Sequence, residues 1–359
     1  MRLLFDLGHP AHVHLFRNII KQVRKTGGDV CVTSRHKDVA VDLCRAYNIP
    51  QIVLSKARTN SFFSSIWELA YRTLRLWNLS YRFRPDALLG TSASIGVIGR
   101  LIGRPSFFFG EDDSDVIPLF ARMVYPTCSY IVTPNCLRHE NYGIKHVTYP
   151  GYHELAYLHP DHFIPDPGVP RSIGLSIDEP YFILRFVALK AHHDVNAGGL
   201  PIGTLPELIQ ILSAHGKVLI TSEKPLPPHL EKYRLSLPPE KFHDVLAYAS
   251  ICIGDSQTVA AEAAVLGVPN IRCNTFVGRI SYLSELESAY GLTSGFLPHQ
   301  KQEMFQLLGK WLKDLTQVRA EMQLRRWKML DETIDLANWQ WEMISSRLNS
   351  YLSTHLKPV

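Results

Sequence analysis

Nowhere does this 359-residue chain offer the run of about 18 consecutive apolar residues that a membrane-crossing helix needs. The amino terminus enters a strand already interrupted by Asp6, without the apolar core of a secretion signal, so neither spanning nor export is expected. Cysteine is sparse and unpatterned. Cys31, Cys44, Cys128, Cys136, Cys252 and Cys273 show no CxxC spacing and several sit in strand-like segments, which argues for free buried thiols in a reducing, cytoplasmic setting rather than disulfides or zinc. No basic block occurs. A net charge of +5 with a pI near 8.8 suits small anionic ligands or an acidic membrane face, and is too mild to indicate DNA or RNA. Repeats and low-complexity tracts are absent too.

What is present is an ordinary globular composition, 46% hydrophobic and 20% charged, in a length that exceeds one core and suits two domains of roughly 150 to 170 residues. Strand and helix alternate: residues 2–7, 29–33, 87–89, 106–109 and 130–133 read as strands, and 13–25 and 39–47 as helices. Six prolines between Pro150 and Pro180 then interrupt any periodicity, marking residues 156–180 as a linker after a first domain over 1–155. Strand 181–186, helix 205–213 and strand 217–221 open a second domain over 181–330, and 331–359 reads as a terminal helix. Such alternation implies open parallel sheets of the α/β class.

The most informative segment is ICIGDSQTVAAEAAVLGVPNIRCN, residues 251–274. Ile251-Cys252-Ile253 ends a buried strand, Gly254 permits a tight turn, and Asp255, Ser256 and Thr258 are side chains of the N-cap type. A helix start carries unsatisfied amides and about +0.5 of an elementary charge, so a phosphate against Ser256, Gln257 and Thr258 would be stabilised without a lysine. Glu262 is the only charge between Val259 and Val268, about 9 Å along the axis from Ser256, where sugar hydroxyls would serve as its partners. Gly267 and Pro269 stop the helix.

This segment resembles the second half of the GT-B nucleotide-sugar superfamily, which includes the lipid-intermediate N-acetylglucosaminyltransferase of cell-wall synthesis and the UDP-N-acetylglucosamine 2-epimerases. Residues 242–249, FHDVLAYA, are similar to the short helix before this loop in those enzymes, and residues 1–34 to their N-terminal glycine turn. GHPAHVHLF and GDSQTVAAEAAVLGVP are similar, with a match over most of the chain, to an uncharacterised prokaryotic family, domain of unknown function 354. The resemblance implies two Rossmann-like domains facing a cleft, with the terminal helix crossing back to the first. It also implies a nucleotide-diphosphate sugar, UDP-linked, as substrate, with no separate cofactor and no metal.

Around that core, the turn Asp6-Leu7-Gly8-His9-Pro10-Ala11-His12-Val13-His14 follows the first strand at the carboxyl edge where ligands of open α/β sheets bind. Gly8 allows close approach of a substrate. His12 or His14 would act as a base on an acceptor hydroxyl or grip the donor, while the packing alternative makes His9 a turn former and turns one of the other two inward. Gly110-Glu111-Asp112-Asp113-Ser114-Asp115 follows an apolar strand. In the 2-epimerases a glutamate at a comparable place moves protons, so Glu111 and Asp112 are acid-base candidates, set against a solvated loop capped by Asp113 or Ser114. The small-residue turn after Gly90, Thr91-Ser92-Ala93-Ser94, would bind sugar or simply start a helix. Arg185 and Lys190, with His192 and His193 beside them, offer positive charge to a departing diphosphate.

Residues 56–84 form a basic amphipathic stretch: Phe62, Phe63, Ile66, Leu69, Ala70, Thr73, Leu74 and Trp77 at helical spacing, with six basic residues against Glu68. It either lies peripherally on the inner membrane face, as suits a lipid-linked acceptor, or packs its stripe on a sheet with the arginines in water. The chain thus reads as a metal-independent glycosyltransferase acting on a lipid-linked or polysaccharide acceptor. The alternatives are a 2-epimerase or hydrolase of the nucleotide sugar and a silent sensor. Strict 2-epimerase activity is weakened because Leu184-Arg185-Phe186-Val187 and Gly8-His9-Pro10-Ala11 replace the epimerases' His-Arg-Glu-Asn-like and Thr-Arg-Pro-Glu-like segments.

Overall fold

The computed structural model describes the chain except residues 37–38, 57–61, 138–139, 188–197, 201, 223–224 and 356–359, and the side chains of 56, 62–66, 202, 352, 354 and 355. Two compact units result, residues 1–162 with 334–359, and residues 163–333.

The first unit runs β1 (Arg2–Leu7), α1 (Pro10–Lys25), β2 (Asp29–His36), α2 (Ala40–Ala46), β3 (Ile52–Lys56), α3 (Phe62–Phe83), β4 (Ala87–Gly90), α4 (Ala93–Leu101), β5 (Ser106–Phe109), α5 (Pro118–Val124), β6 (Tyr130–Pro134), β7 (His146–Tyr149) and α6 (Leu155–Leu158). Its seven strands are all parallel in the order β3-β2-β1-β4-β5-β6-β7. Helices cover both faces, so β4 and β5 are buried throughout and read as continuous apolar runs.

The second unit runs α7 (Gly168–Ser172), β8 (Tyr181–Phe186), α8 (Leu205–Ser213), β9 (Lys217–Ser222), α9 (Phe242–Leu246), β10 (Ile251–Gly254), α10 (Gln257–Val265), β11 (Asn270–Cys273), α11 (Ser281–Ser288), β12 (Ser294–Phe296), α12 (Lys301–Trp311) and α13 (Leu315–Glu332). Its five parallel strands lie in the order β12-β11-β10-β8-β9. Alanine on most sides of α10 lets it approach the sheet, and Gly267, at φ 68°, ends it, its amide donating to Ala264 O and that of Val268 to Ala263 O. The final helix, α14 (Leu336–His355), belongs to the first unit, where Trp339 packs on Tyr149 at 5.2 Å.

Residues 156–180, read from the sequence as a linker, hold the rest of α6 and all of α7; Leu155 to Leu158 are fully buried. Neither Asp113 nor Ser114 caps a helix: α5 begins at Pro118 behind Ile117, and Ser114 donates its amide to Glu140 at 2.6 Å.

Gly254 is fixed by its neighbour strand, because a Cβ there would stand 2.0 Å from the Arg185 carbonyl oxygen. Gly254→Ala is therefore expected to cost about 2 kcal/mol or more by overpacking, read as a fall of several degrees in melting temperature. An unchanged melt would show that β8 and β10 can part freely.

Candidate functional site

In a parallel sheet, ligands favour the carboxyl edge where the chain order reverses, because the flanking connections leave to opposite sides and open a crevice. In the second unit that reversal falls between β8 and β10. Here Asp255 donates its amide to Arg185 O at 3.1 Å, and Ser256 caps α10, its Oγ accepting from Val259 N at 3.3 Å. Spending Ser256 on Val259 leaves the amides of Gln257 and Thr258 in the first turn, where no intrahelical acceptor exists. Both residues are half-buried.

Gly254 is in register with Arg185 on one side and Arg272 on the other, a row of arginine, glycine, arginine across the strand ends. Arg185 Nη1 donates to Thr221 Oγ1 at 3.3 Å. Arg272 is 1% exposed and none of its guanidinium nitrogens has a hydrogen-bond partner among the described residues. Burial pulls its pKa below the ordinary arginine value, with Tyr282 and Glu287 acting the other way. Nothing in the local pattern singles out Arg272, which sits inside a buried strand.

Asp255 turns its carboxylate onto Val187 N at 2.8 Å, and burial raises its pKa despite that bond and the nearby Arg185. Asn274, also unforeseen, bolts the turn to β11 by donating to Asp255 O at 2.9 Å. Glu262 is 4% exposed and meets His243 Nε2 at 2.9 Å, so the protein itself supplies a partner where the sequence left only sugar hydroxyls. Lys190, His192 and His193 lie outside the described residues.

The first unit reverses between β1 and β4. His9 is the N-cap of α1, with Nδ1 accepting from Ala11 N at 3.3 Å, and Pro10 follows as the first helical residue. His12 Nδ1 accepts from Gly8 N at 3.2 Å and lies 2.7 Å from Thr91 Oγ1, which ties the two strand ends together. His14 points the other way, 6% exposed and stacked on Tyr157 at 5.0 Å. Beneath the turn, the buried Asp6 carboxylate accepts from Thr33 Oγ1 at 2.7 Å, Arg72 Nη2 at 2.6 Å and Ser92 Oγ. Arg72, read from the sequence as facing water or lipid, is thus 7% exposed and structural.

At the end of β5, Glu111 Oε1 accepts from His153 N at 3.0 Å while Oε2 stands 3.3 Å from His153 Nδ1. That holds the imidazole by one side; its Nε2 is buried without a hydrogen-bond partner among the described residues, as is the Tyr149 hydroxyl. A carboxylate orienting a histidine whose second nitrogen is unspent is the arrangement of a general base. His153 was missed because it lies 42 residues from Glu111, behind a glycine turn. Asp112 keeps solvent contact, yet the packing around its carboxyl, and then Glu111, raise its pKa. Among the described residues one metal-ligand type of group occurs, His159, Asp161 and Asp335, where Asp335 also caps α14.

No family model and no curated protein matches the chain, so the likeness to domain of unknown function 354 rests on its motifs alone. Solved structures do match. A UDP-GlcNAc 2-epimerase from Neisseria meningitidis, solved with UDP-GlcNAc, shares 14% identity over 90% of this chain and 94% of its own, with a TM-score of 0.66. MnaA of S. aureus, solved with UDP, shares 14% over 100% and 98%, with a TM-score of 0.67. Spinosyn forosaminyltransferase shares 14% over 98% and 99%, with a TM-score of 0.64. The fold is accordingly the two-unit α/β architecture of GT-B type.

The raised pKa of Asp255 makes a signed prediction. Folding then favours the protonated acid, a contribution fully present below the ordinary value of 3.8 and lost as pH rises through the higher folded value. Asp255→Asn should therefore be more stable than the parent near neutral pH, with the advantage vanishing below about pH 3.8. Urea unfolding at the two pH values reads this; an equal advantage at both would contradict it.

Proposed function

We propose that the protein is a nucleotide-sugar enzyme, a metal-independent glycosyltransferase, whose second unit takes a nucleotide-diphosphate sugar, UDP-linked, at the start of α10. The observation that carries this reading is the Arg185-Gly254-Arg272 row beside the first-turn amides of α10. A buried guanidinium without a hydrogen-bond partner is costly unless an anion compensates it, and a diphosphate brings two negative groups to that edge. Glu262, two turns along, faces the ribose hydroxyls. Glu111 and His153 in the first unit supply the base that deprotonates the acceptor hydroxyl, with Glu111 fixing the tautomer. His12 holds the neighbouring turn.

The second reading is epimerisation or hydrolysis of the nucleotide sugar itself, and it draws on the several acid-base groups at the β5 end: Glu111, Asp112 with its raised pKa, and His153. Product analysis with no acceptor added separates the two, since only the second reading yields an isomer or free sugar.

Calorimetry with UDP, GDP, CDP, TDP and their sugars tests the common premise. Thr258→Glu places a carboxylate in the first turn of α10, which suits the helix but repels phosphate. It should weaken nucleotide binding at least roughly tenfold while the melting temperature holds or rises. Glu111→Gln should leave binding intact and lower turnover about 10²- to 10⁴-fold. Failure of every nucleotide to bind the parent would overturn the proposal.

A further inference from the structure

The outer face of α3 is unlike the rest of the surface. Trp67, Tyr71, Leu74, Trp77 and Tyr81 recur at helical spacing and leave between 47% (Trp77) and 74% (Trp67) of their surface in solvent. The helix is already docked by its opposite side, where Leu76 enters the core of the first unit and Arg72 reaches Asp6. The aromatic stripe is therefore surplus to folding. On the neighbouring helix α4, tied to α3 by Thr73 and Ser94 at 2.8 Å, Val97 and Leu101 are exposed one turn apart.

Charge around the stripe is one-sided. Residues 67–104 contain six arginines, of which Arg72 is buried against Asp6, no lysine and two acids, Glu68 and Asp86. Both acids are engaged within the unit: Glu68 with Arg35 at 2.6 Å and Ser55 at 2.8 Å, Asp86 with the Arg2 amide at 2.7 Å. Arg82 and Arg84 stay exposed at the end of the helix, and Arg75 lies over the Tyr71 ring at 5.7 Å.

We propose that this face of α3 docks on an anionic lipid surface. Tryptophan and tyrosine carry an apolar body with a polar tip, the form that settles at the headgroup boundary, and flanking arginines meet lipid phosphates. Among the described residues no helix is long and apolar enough to cross a membrane, so the contact is peripheral. A second copy of the chain is a poorer occupant. A two-fold contact through this face would set arginine rim against arginine rim with both local acids already engaged. The proposal is independent of the nucleotide-sugar reading.

Sedimentation with vesicles tests it, using phosphatidylcholine alone and phosphatidylcholine mixed with phosphatidylglycerol. The full chain should bind the mixed vesicles, with a blue shift of tryptophan emission and weakening as salt rises. Replacing Trp67, Tyr71, Leu74 and Trp77 together with serine should cut binding at least roughly tenfold without lowering the melting temperature. Arg82→Gln with Arg84→Gln should cost about fivefold per arginine on the anionic vesicles only. No binding by the parent, or binding unaltered by the serine variant, would overturn the proposal. So would concentration-dependent dimerisation abolished by the same serines, since the stripe would then belong to a second copy.

Discussion

Parallel strands send all their carboxyl ends to one edge, and the point where chain order reverses is the one place along that edge where no crossover helix seals the sheet. Each unit has one such point, and the least ordinary residues of the chain gather there. Gly254 and Arg185 mark it in the second unit, Gly8, His12 and Thr91 in the first. Short turns and helix starts at these positions are consequences of topology. The sequence needs only to supply glycine where backbone closes on backbone and small polar residues where a helix must begin.

The two crevices differ in how their charge is balanced. In the first unit, Asp6 and Arg72 neutralise each other inside a network that also satisfies Thr33 and Ser92. The role of that pair is structural, since stripping one member from a buried pair costs about 3 to 5 kcal/mol. In the second unit two arginines flank Gly254 while the adjoining Asp255 carboxylate is turned onto the Val187 amide. Glu262, further along α10, meets His243 of α9. Among the described residues the second crevice has no buried pair like Asp6 with Arg72: the Arg272 guanidinium finds no hydrogen-bond partner there.

Much of this architecture is legible from residues in a row. β5 and β8 fall where apolar runs placed them, α8 likewise, and the turn from Gly254 into α10 with its stop at Gly267 follows the local chemistry of glycine and N-caps. The short strands β7 and β12 were not readable, because neither has the unbroken apolar run that marks β5, and β12 contains a glycine on a half-buried edge. Partners distant in sequence stayed hidden for a different reason. His153 with Glu111 is 42 residues away and Arg72 with Asp6 is 66, and no local pattern announces either meeting. In α3 the period was legible and the direction stayed open between membrane and sheet: Leu74 and Trp77 point outward, and an amphipathic pattern says nothing about which side the sheet will take.

The return of α14 to the first unit has a temporal consequence. The chain leaves that unit after His162 and re-enters at Ile334, the two passages being joined by His162 and Asp335 at 2.7 Å. During synthesis the ribosome therefore finishes the second unit while the first still lacks the helix that buries Leu336, Ile344 and Leu348. The part of the protein made first is completed last, and a nascent chain carries one finished unit while the other waits for the twenty residues of α14.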